Sequence, residues 1–299
     1  MIELNHINLW NLQALAIDFA IIFALFISLR LVKGLVSNVK ATDEIASKDN
    51  FAFGVSFAGG IAALAFVLSG ASQGEFSHSL LSEATNMAVF GIVGLVLITL
   101  GRWIQDKLVL SQISLHDEIA KGNLAAAIVD VGNAIAVGIV IRAAMLWVET
   151  EGFLAIPVII AAFVVSQIVL MLASKYRVKL FKVKASGDNS CMQQALEDGN
   201  CALALRYSGY LTGTALAITA ASGLVPYNAD NVWVAVLMWA VMAIVLSVAF
   251  GLIKALAMKL ILPGVDSSDE VDNQQNVGVA AIETAVALAI GLTLATLLA

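Results

Sequence analysis

The sequence predicts an all-α protein that crosses a membrane several times, and three observations lead to this fold class. Hydrophobic residues make up 60% of the 299 residues and charged residues only 13%, whereas a soluble domain carries about a quarter charged residues. The mean hydropathy is +0.92. The charges are also excluded from eight apolar stretches, each long enough to cross a hydrocarbon core of about 30 Å as a helix. The composition therefore excludes a water-soluble globular domain.

Eight stretches with one charge or none are the predicted membrane helices. Each has about 18 residues or more, as a spanning helix requires, and the alternating segments of roughly ten residues that are typical of a membrane barrel are absent. The first stretch is too long for a cleaved signal peptide, and no basic residue precedes it. The predicted spans are residues 12–29, 51–68, 84–101, 124–141, 153–173, 202–221, 232–253 and 277–299.

The basic residues indicate how these helices are oriented. Of the sixteen Lys and Arg residues, fourteen lie in the loops after the odd-numbered spans or at the edges of those loops, and the even loops contain none. Basic loops stay on the cytoplasmic side of a membrane. The sequence therefore predicts cytoplasmic odd loops, with both termini on the opposite side, which is the periplasm in a bacterium.

Residues typical of metal, redox or catalytic sites are few. Cys191 and Cys201 both lie on the predicted cytoplasmic side, where thiols stay reduced, so no disulfide is expected. The histidines His6, His78 and His116 are divided between the two sides and form no metal-ligand pattern. Neither a phosphate-binding loop nor a nucleophile triad is present. We therefore expect no metal, no cofactor, no nucleic-acid partner and no enzyme activity.

A fourfold repeat organises the chain. Each unit consists of one helix that runs toward the cytoplasmic side, a charged segment and one helix that runs back. An asparagine precedes the second helix of every unit, and these asparagines are 73, 77 and 76 residues apart. All four units run in the same direction, so their pseudo-symmetry axis is expected along the membrane normal. The repeated asparagines are Asn50, Asn123, Asn200 and Asn276.

The two halves of the chain match best at a period of two units. The segment DKLVLSQISLHDEIAKGN from Asp106 aligns with MKLILPGVDSSDEVDNQQN from Met258. We therefore predict two tandem four-helix domains, residues 1–150 and 151–299.

The charged segment of each unit is expected to form a short helix that precedes the membrane helix. Hydroxyl and acidic or amide residues stand at the three-residue spacing of a capping box, and a glycine follows in two units. The repeated asparagines are then expected to cap the membrane helices; the alternative is that some of them line a vestibule. The capping pairs are Ser114 with Asp117, Ser190 with Gln193, and Ser267 with Glu270.

Small residues indicate which helices lie at the centre. Helices in lipid associate where small side chains let the backbones approach closely, and the even helices carry Gly or Ala at four-residue spacing, whereas the odd helices are bulkier. We therefore expect the even helices inside the molecule and the odd helices against lipid.

The position seven residues after each repeated asparagine is two helical turns deeper on the same face. It holds Phe57, Asp130, Tyr207 and Glu283, so the corresponding units of the two halves each carry a carboxylate. If the four units form a ring in chain order, Asp130 and Glu283 face each other across its axis. Arg206 would join them, and one carboxylate would remain unpaired.

Two interpretations of these buried charges remain open. In the first, the unpaired carboxylate exchanges a proton, with Tyr207 beside it and Asn133 continuing the polar surface above Asp130. In the second, the charges form a static ion pair that fixes the register of the helices. Carboxylates inside a membrane cost several kcal/mol unless they are paired, and they usually mark a pathway.

The aligned segments DKLVLSQISLHDEIAKGNLAAAIVD and MKLILPGVDSSDEVDNQQNVGVAAIE resemble the signature of a bacterial inner-membrane family called "domain of unknown function 350", the YjfL-type proteins. Members have four spans per domain, an acidic segment, a Gly-Asn turn and an alanine-rich final helix. Here Gln275 replaces the glycine of the second turn. The resemblance implies two tandem domains in a bacterial inner membrane and a link to envelope stress, but no reaction.

Two functions follow from these patterns. The first is a channel or transporter that moves a proton, a monovalent cation or a small solute between the even helices. The second is a scaffold or sensor that recruits a cytoplasmic protein through acidic residues of the short helices and through the basic segment KYRVKLFKVK from Lys175. The abundant small residues also suit a homo-oligomer. An intramembrane enzyme is not expected, because no nucleophile and base stand at helical spacing. The acidic residues in question are Asp117, Glu118, Asp269 and Glu270.

Overall fold

The computed structural model describes residues 9–73, 79–184 and 191–298, and all regular structure within them is helical, as predicted. Two π-helical turns, Asp43–Ser47 and Gln105–Val109, and two 3₁₀ turns, Glu149–Leu154 and Ala229–Asn231, join the helices. In chain order the α-helices are α1 (Leu9–Val36), α2 (Phe51–Ala71), α3 (Leu80–Ile104), α4 (Leu115–Ala120), α5 (Leu124–Trp147), α6 (Ala155–Lys184), α7 (Met192–Glu197), α8 (Cys201–Thr219), α9 (Ala221–Leu224), α10 (Val232–Ile261), α11 (Ser267–Asp272) and α12 (Val277–Leu297).

Seven helical segments in the described parts of the chain are long and apolar enough to cross a membrane. They coincide with seven of the eight predicted spans, so the chain has the make-up of a multi-pass membrane protein. The remaining predicted span, residues 202–221, coincides with α8, which carries Arg206 and Tyr207 and is less apolar. Every residue of α8 is buried or half-buried. Neighbouring helices therefore surround α8, and its polar side chains do not need to face lipid.

Four helices form a row at the centre of the molecule. The second helix of each unit packs against that of the next, in the order α2, α5, α8 and α12. Only α5 and α8 are shielded along their whole length, whereas α2 and α12 lie at the two ends of the row with one face exposed. The expectation that the even helices lie inside thus holds fully for the middle two. The four units form an open row rather than the closed ring in chain order that was assumed from the sequence.

Small residues set the close spacing within this row, as helix packing in lipid requires. A Cβ atom added to Gly132 of α5 would lie 2.3 Å from the Cβ of Ser208 in α8. At Gly138 it would lie 2.6 Å from the backbone oxygen of Ala63 in α2, and at Gly291 of α12 it would lie 2.6 Å from the oxygen of Gly213 in α8. Each interface of the row therefore requires glycine on at least one side.

The other long helices flank the row in pairs. Helices α1 and α3 pack on each other and on α2, and α3 also contacts α5. Helices α6 and α10 pack on each other and on α8, and α10 also contacts α12. Each half of the chain thus forms its own group of four long helices, and α5 and α8 join the two groups.

The short helices α4, α7 and α11 are present where the charged segments predict them, but two of their caps differ from the prediction. Ser114 caps α4 as expected. Cys191 caps α7 through its sulfur, and Ser190 lies outside the described residues. Asp266, rather than Ser267, caps α11, because its carboxylate accepts hydrogen bonds from two backbone amides, those of Ser268 and Asp269.

Candidate functional site

Each of the repeated asparagines caps the membrane helix that follows it. The side-chain oxygens accept hydrogen bonds from the backbone amides three residues on, at 2.9 to 3.2 Å. This satisfies helix-end amides that find no water in lipid. The capped helices are those that begin after Asn50, Asn123, Asn200 and Asn276.

The same asparagines also join neighbouring units. Asn50 donates to the backbone oxygen of Ile119 at 3.0 Å, Asn123 donates to that of Leu196 at 2.9 Å, and Asn200 donates to that of Val271 at 3.5 Å. Each acceptor lies in the short helix of the next unit. Asn276 donates to Glu270 of its own unit at 2.8 Å, as Asn50 and Asn123 also donate to Glu44 and Glu118 of their units. These contacts favour the capping interpretation over a vestibule.

The buried and half-buried charged side chains around the two predicted carboxylates form two clusters, one in each group of four helices. Each cluster is built around the carboxylate predicted seven residues after the repeated asparagine, Asp130 in α5 or Glu283 in α12, and these residues are only 2% and 4% exposed. We name the clusters after these carboxylates. The Asp130 cluster comprises Lys33, Ser56, Arg102 and Asp130, and the Glu283 cluster comprises Arg177, Arg206, Lys254 and Glu283.

In the Asp130 cluster, two cations and a hydroxyl surround one carboxylate. The Nζ of Lys33 lies 3.1 Å from Oδ2 of Asp130, and the Nε of Arg102 donates to Oδ1 at 2.8 Å. The hydroxyl of Ser56 and a second guanidinium nitrogen of Arg102 also donate to Oδ2. All four side chains are buried. The helices α1, α2, α3 and α5 each contribute one residue, so this cluster ties the first group of helices together.

In the Glu283 cluster, the cations are less fully satisfied. The Nζ of Lys254 lies 2.8 Å from Oε2 of Glu283, and the Nε of Arg206 lies 3.4 Å from the same oxygen without hydrogen-bond geometry. Arg206 donates instead to Asp272 of α11 at 2.6 Å. The guanidinium of Arg177 lies 5.3 Å from the ring centre of Tyr210. Within the described part of the chain, no carboxylate is at ion-pair distance from Arg177.

The two clusters are related by the repeat. Ser56 and Arg206 each follow the asparagine of their unit by six residues, and Arg102 and Lys254 each precede the aligned segments DKLVL and MKLIL by four. The first long helices of the first and third repeat units, α1 and α6, supply the further cations, Lys33 and Arg177. An arginine therefore replaces a serine in the second cluster, and Asp272 compensates for part of the added charge.

The expectation that Asp130, Glu283 and Arg206 form one cluster is wrong. Arg206 pairs with Glu283 and Asp272, whereas Asp130 pairs with Lys33 and Arg102. Because the units form an open row, the two carboxylates meet different flanking helices instead of facing each other across an axis. The expected unpaired carboxylate is also wrong, since each carboxylate contacts two cations.

Two other candidate residues lie outside both clusters. The side chain of Asn133 donates to the backbone oxygen of Gly101 at 3.3 Å, which ties α5 to α3. The hydroxyl of Tyr207 accepts a hydrogen bond from Gln105 and is buried between the two groups of helices. Tyr207 also lines a small cavity together with Arg177, Arg206 and Asp272.

A cavity of about 1000 Å³ adjoins the Glu283 cluster. It lies between α6 and α10, and all four residues of the cluster line it, whereas no residue of the Asp130 cluster does. Lining side chains of α6 and α10 are also exposed on the outer surface, so the cavity opens toward the lipid-facing side. The exposed apolar lining residues are Leu172, Ile244, Val248 and Leu252.

Sequence reasoning identified the two carboxylates and Arg206 but missed their other partners. The missed partners lie at the basic ends of α1, α3, α6 and α10, where basic residues are expected as orientation signals alone; they are Lys33, Arg102, Arg177 and Lys254. The sequence did contain a signal for two of these partners, Arg102 and Lys254. The alignment of the halves that pairs Asp130 with Glu283 also pairs Arg102 with Lys254, which indicates an ion pair present in both domains.

Residues with metal or redox potential form no site in the described parts of the chain. No group of three His, Cys, Asp or Glu residues is suitably placed for a metal there, and His6 and His78 lie outside the described residues. Cys191 and Cys201 are free thiols.

The helices, the internal repeat and the buried ion pairs define a multi-pass membrane protein built from two related four-helix units. The sequence profile of the Domain of Unknown Function (DUF350) matches it twice, over residues 7–145 and 150–298. The chain therefore belongs to this family and contains two tandem copies of its domain, which confirms the resemblance. No curated protein and no solved structure matches the chain.

Proposed function

We propose that the chain crosses a bacterial inner membrane eight times, with both termini in the periplasm. The eighth span is α8, whose polar side chains are shielded by α5, α6, α10 and α12. The orientation rests on the basic residues that follow the odd helices. The short helices α4, α7 and α11 then all lie on the cytoplasmic side.

We propose further that the protein moves a proton or another small ion, and that the Glu283 cluster is its exchange site. One observation carries this proposal: of the two equivalent buried carboxylates, Glu283 lines the cavity of about 1000 Å³ between α6 and α10, and Asp130 does not. An ion that enters this cavity meets a carboxylate held by Lys254 and Arg206. The Asp130 cluster, by contrast, is enclosed by protein and serves to hold the first four helices in place.

Exchange at this site couples ion binding to the arrangement of the helices. Glu283 belongs to α12, Lys254 to α10 and Arg206 to α8, so its ion pairs hold three helices together. A proton taken up by Glu283 removes the negative charge and weakens both ion pairs at once. The contacts that hold α12 to α8 and α10 beside the cavity then loosen, which is the kind of change that a transport step requires.

Flux through reconstituted protein tests this proposal. Liposomes that contain the purified chain are given a pH gradient, with several monovalent cations in turn, and the internal pH is followed. We expect wild-type flux above that of protein-free liposomes and at least a tenfold loss in Glu283→Gln. Asp269→Asn removes an exposed carboxylate of α11 and serves as the control. Absence of wild-type flux, or unchanged flux in Glu283→Gln, would refute the proposal.

A different observation favours the alternative of a scaffold or sensor with a cytoplasmic partner. At the α12 end of the row, Asp269 is exposed, and Asn276 bonds to Glu270 of its own unit. Glu118, in contrast, is buried and bonds to Lys121 and Asn123, so its replacement would disturb the fold. The informative variants are therefore Asp117→Asn and Asp269→Asn. Loss of a protein captured by the wild type would support this function, and retained capture would count against it.

The homo-oligomer expected from the sequence stays a prediction. Ala281, Ala285 and Ala289 of α12 are exposed at four-residue spacing at the end of the row. They are the surface at which a second copy would pack closely through small residues.

A further inference from the structure

The cavity beside the Glu283 cluster has more positive than negative charge. Four basic residues and two carboxylates line it, and the carboxylate of Asp272 approaches Arg206 from outside the cavity. An excess of cations remains even when Asp272 is included. The basic lining residues are Arg177, Arg206, Lys254 and Lys259, and the acidic ones are Asp266 and Glu283.

One of these cations, Arg206, has a buried donor without a hydrogen-bond partner among the described residues, and another, the half-buried Arg177, has no carboxylate at ion-pair distance there. The unpartnered donor is the Nε of Arg206, and the side chain of Arg206 is only 3% exposed. Arg177 contacts an aromatic ring instead of a carboxylate. Unsatisfied buried donors are rare in proteins, and each calls for a partner. Guanidinium groups bind phosphate oxygens in two-pronged geometry, so an anion with several oxygens suits this site.

The rest of the cavity suits a hydrocarbon chain. Its charged residues lie toward the end that carries α11, where Ser267 and Ser268 also line it. Toward the middle of the helices, its lining changes to Val169, Ile244 and Val248, and the cavity opens between α6 and α10 toward lipid. A molecule that fits this arrangement has an anionic group near the membrane surface and an apolar tail directed toward the bilayer centre.

We propose that this cavity binds one anionic phospholipid of the cytoplasmic leaflet, with its phosphate among Arg177, Arg206 and Lys254 and one acyl chain between α6 and α10. Charge complementarity selects a phosphate with net negative charge over a zwitterionic headgroup. The apolar walls select a lipid over free phosphate. This binding does not depend on ion flux, so the two proposals can fail separately.

Native mass spectrometry of the full-length protein in detergent tests the proposal. The probes are phosphatidylglycerol, phosphatidylcholine and inorganic phosphate, each titrated onto delipidated protein, and the fraction with one bound ligand gives the affinity. We expect one phosphatidylglycerol to bind at least tenfold more tightly than phosphatidylcholine, and inorganic phosphate not to compete with it. Equal binding of the two lipids would overturn the proposal, and so would displacement of phosphatidylglycerol by inorganic phosphate at similar concentration.

Two variants address the two parts of the cavity separately. Arg177→Gln removes a cation whose loss leaves no carboxylate unpaired, and we expect it to weaken phosphatidylglycerol binding about tenfold, as the loss of one charge-assisted hydrogen bond implies. Gly251→Phe places a ring in the cavity without changing charge, since Gly251 lines it and a Cβ there meets no atom within 4 Å. We expect this variant to reduce binding by a similar factor.

Matched controls separate the cavity from the general attraction of basic residues for anionic lipid. Arg30→Gln removes an exposed cation in the C-terminal part of α1, which does not line the cavity. Gly54→Phe places a ring at a glycine in α2 that, like Gly251, has open space around it. Both are expected to bind as the wild type does. If Arg30→Gln weakens binding as much as Arg177→Gln, or if Gly251→Phe binds normally, the cavity is not the binding site.

Discussion

At the scale of single residues, both carboxylates inside the helices are paired, but they differ in surroundings. Asp130 accepts hydrogen bonds from Ser56 and Arg102 and forms an ion pair with Lys33. Glu283 has Lys254 and a poorly aligned Arg206. The spacing from the repeated asparagine predicted the positions of both carboxylates. Their partners could not be predicted in full, because the pairing depends on which helices become neighbours.

Replacement of Asp130 by asparagine is expected to destabilise the protein strongly. Lys33 and Arg102 would remain buried without a carboxylate, and breaking a buried pair in this way costs about 3–5 kcal/mol. Thermal unfolding in detergent measures the change, with Asp117→Asn as a control, because Asp117 is exposed. An equal midpoint for Asp130→Asn and the control would show that the cluster does not hold the helices together.

His116 in the short helix α4 makes stability depend on pH. Burial holds the pKa of His116 below its ordinary value of 6.5, and within the described residues its Nδ1 has no hydrogen-bond partner. Because the unfolded chain binds this proton more readily than the folded one, stability is full above about pH 6.5 and falls below it. We expect His116→Gln to reduce this loss between about pH 7 and 5. Unfolding midpoints that depend on pH in the same way in both proteins would contradict this.

At the scale of elements, the repeat determined most of what could be predicted. The positions of the long helices, the short helices between them and the asparagine caps all follow from local sequence, because apolar length and capping residues act locally. The turn before α12 was less certain because Gln275 replaces glycine. The structure gives Gln275 a φ of 54°, and Gly122 and Gly199 at the equivalent positions have φ values of 90° and 85°. Gln275 therefore keeps the left-handed backbone conformation of the two glycines, although only glycine adopts it without strain.

Substitution at this turn is expected to change stability in opposite directions in the two domains. Gln275→Gly removes the strain of a side chain in the left-handed region and is expected to stabilise the protein by about 1 kcal/mol. Gly122→Ala adds that strain and is expected to destabilise it by a similar amount, since no neighbour crowds the new Cβ. Denaturant unfolding of both variants checks the two signs, and a shared sign would contradict the account.

The contact between α5 and α8 depends on Gly132. Gly132→Ala places a Cβ 2.3 Å from that of Ser208, so the helices must separate, and we expect a loss of about 1–3 kcal/mol. Gly54→Ala serves as the control, because a Cβ there meets no atom within 4 Å. Equal unfolding midpoints for the two variants would show that the row tolerates a wider spacing.

At the scale of the whole molecule, the duplicated domain was predictable, but the arrangement of its units was not. Four parallel repeats are compatible with a closed ring and with an open row, and local sequence does not distinguish them. In the structure the row is open, so the two carboxylates belong to separate clusters. One cluster is enclosed, and the other borders a cavity between α6 and α10. We attribute function to this difference between two halves that descend from the same repeat.

The most direct test of this claim is infrared spectroscopy of the reconstituted protein as the pH is lowered, because protonated carboxyl groups absorb apart from ionised ones. Because the exposed carboxyl groups also take up protons, the spectra are compared between proteins. Over the background that all of them share, we expect one carboxyl band that grows on acidification in the wild type and in a folded Asp130 variant and is missing in Glu283→Gln. If the band persists in Glu283→Gln and disappears with Asp130, the exchangeable group is in the enclosed cluster, and the assignment of function to the second domain is wrong.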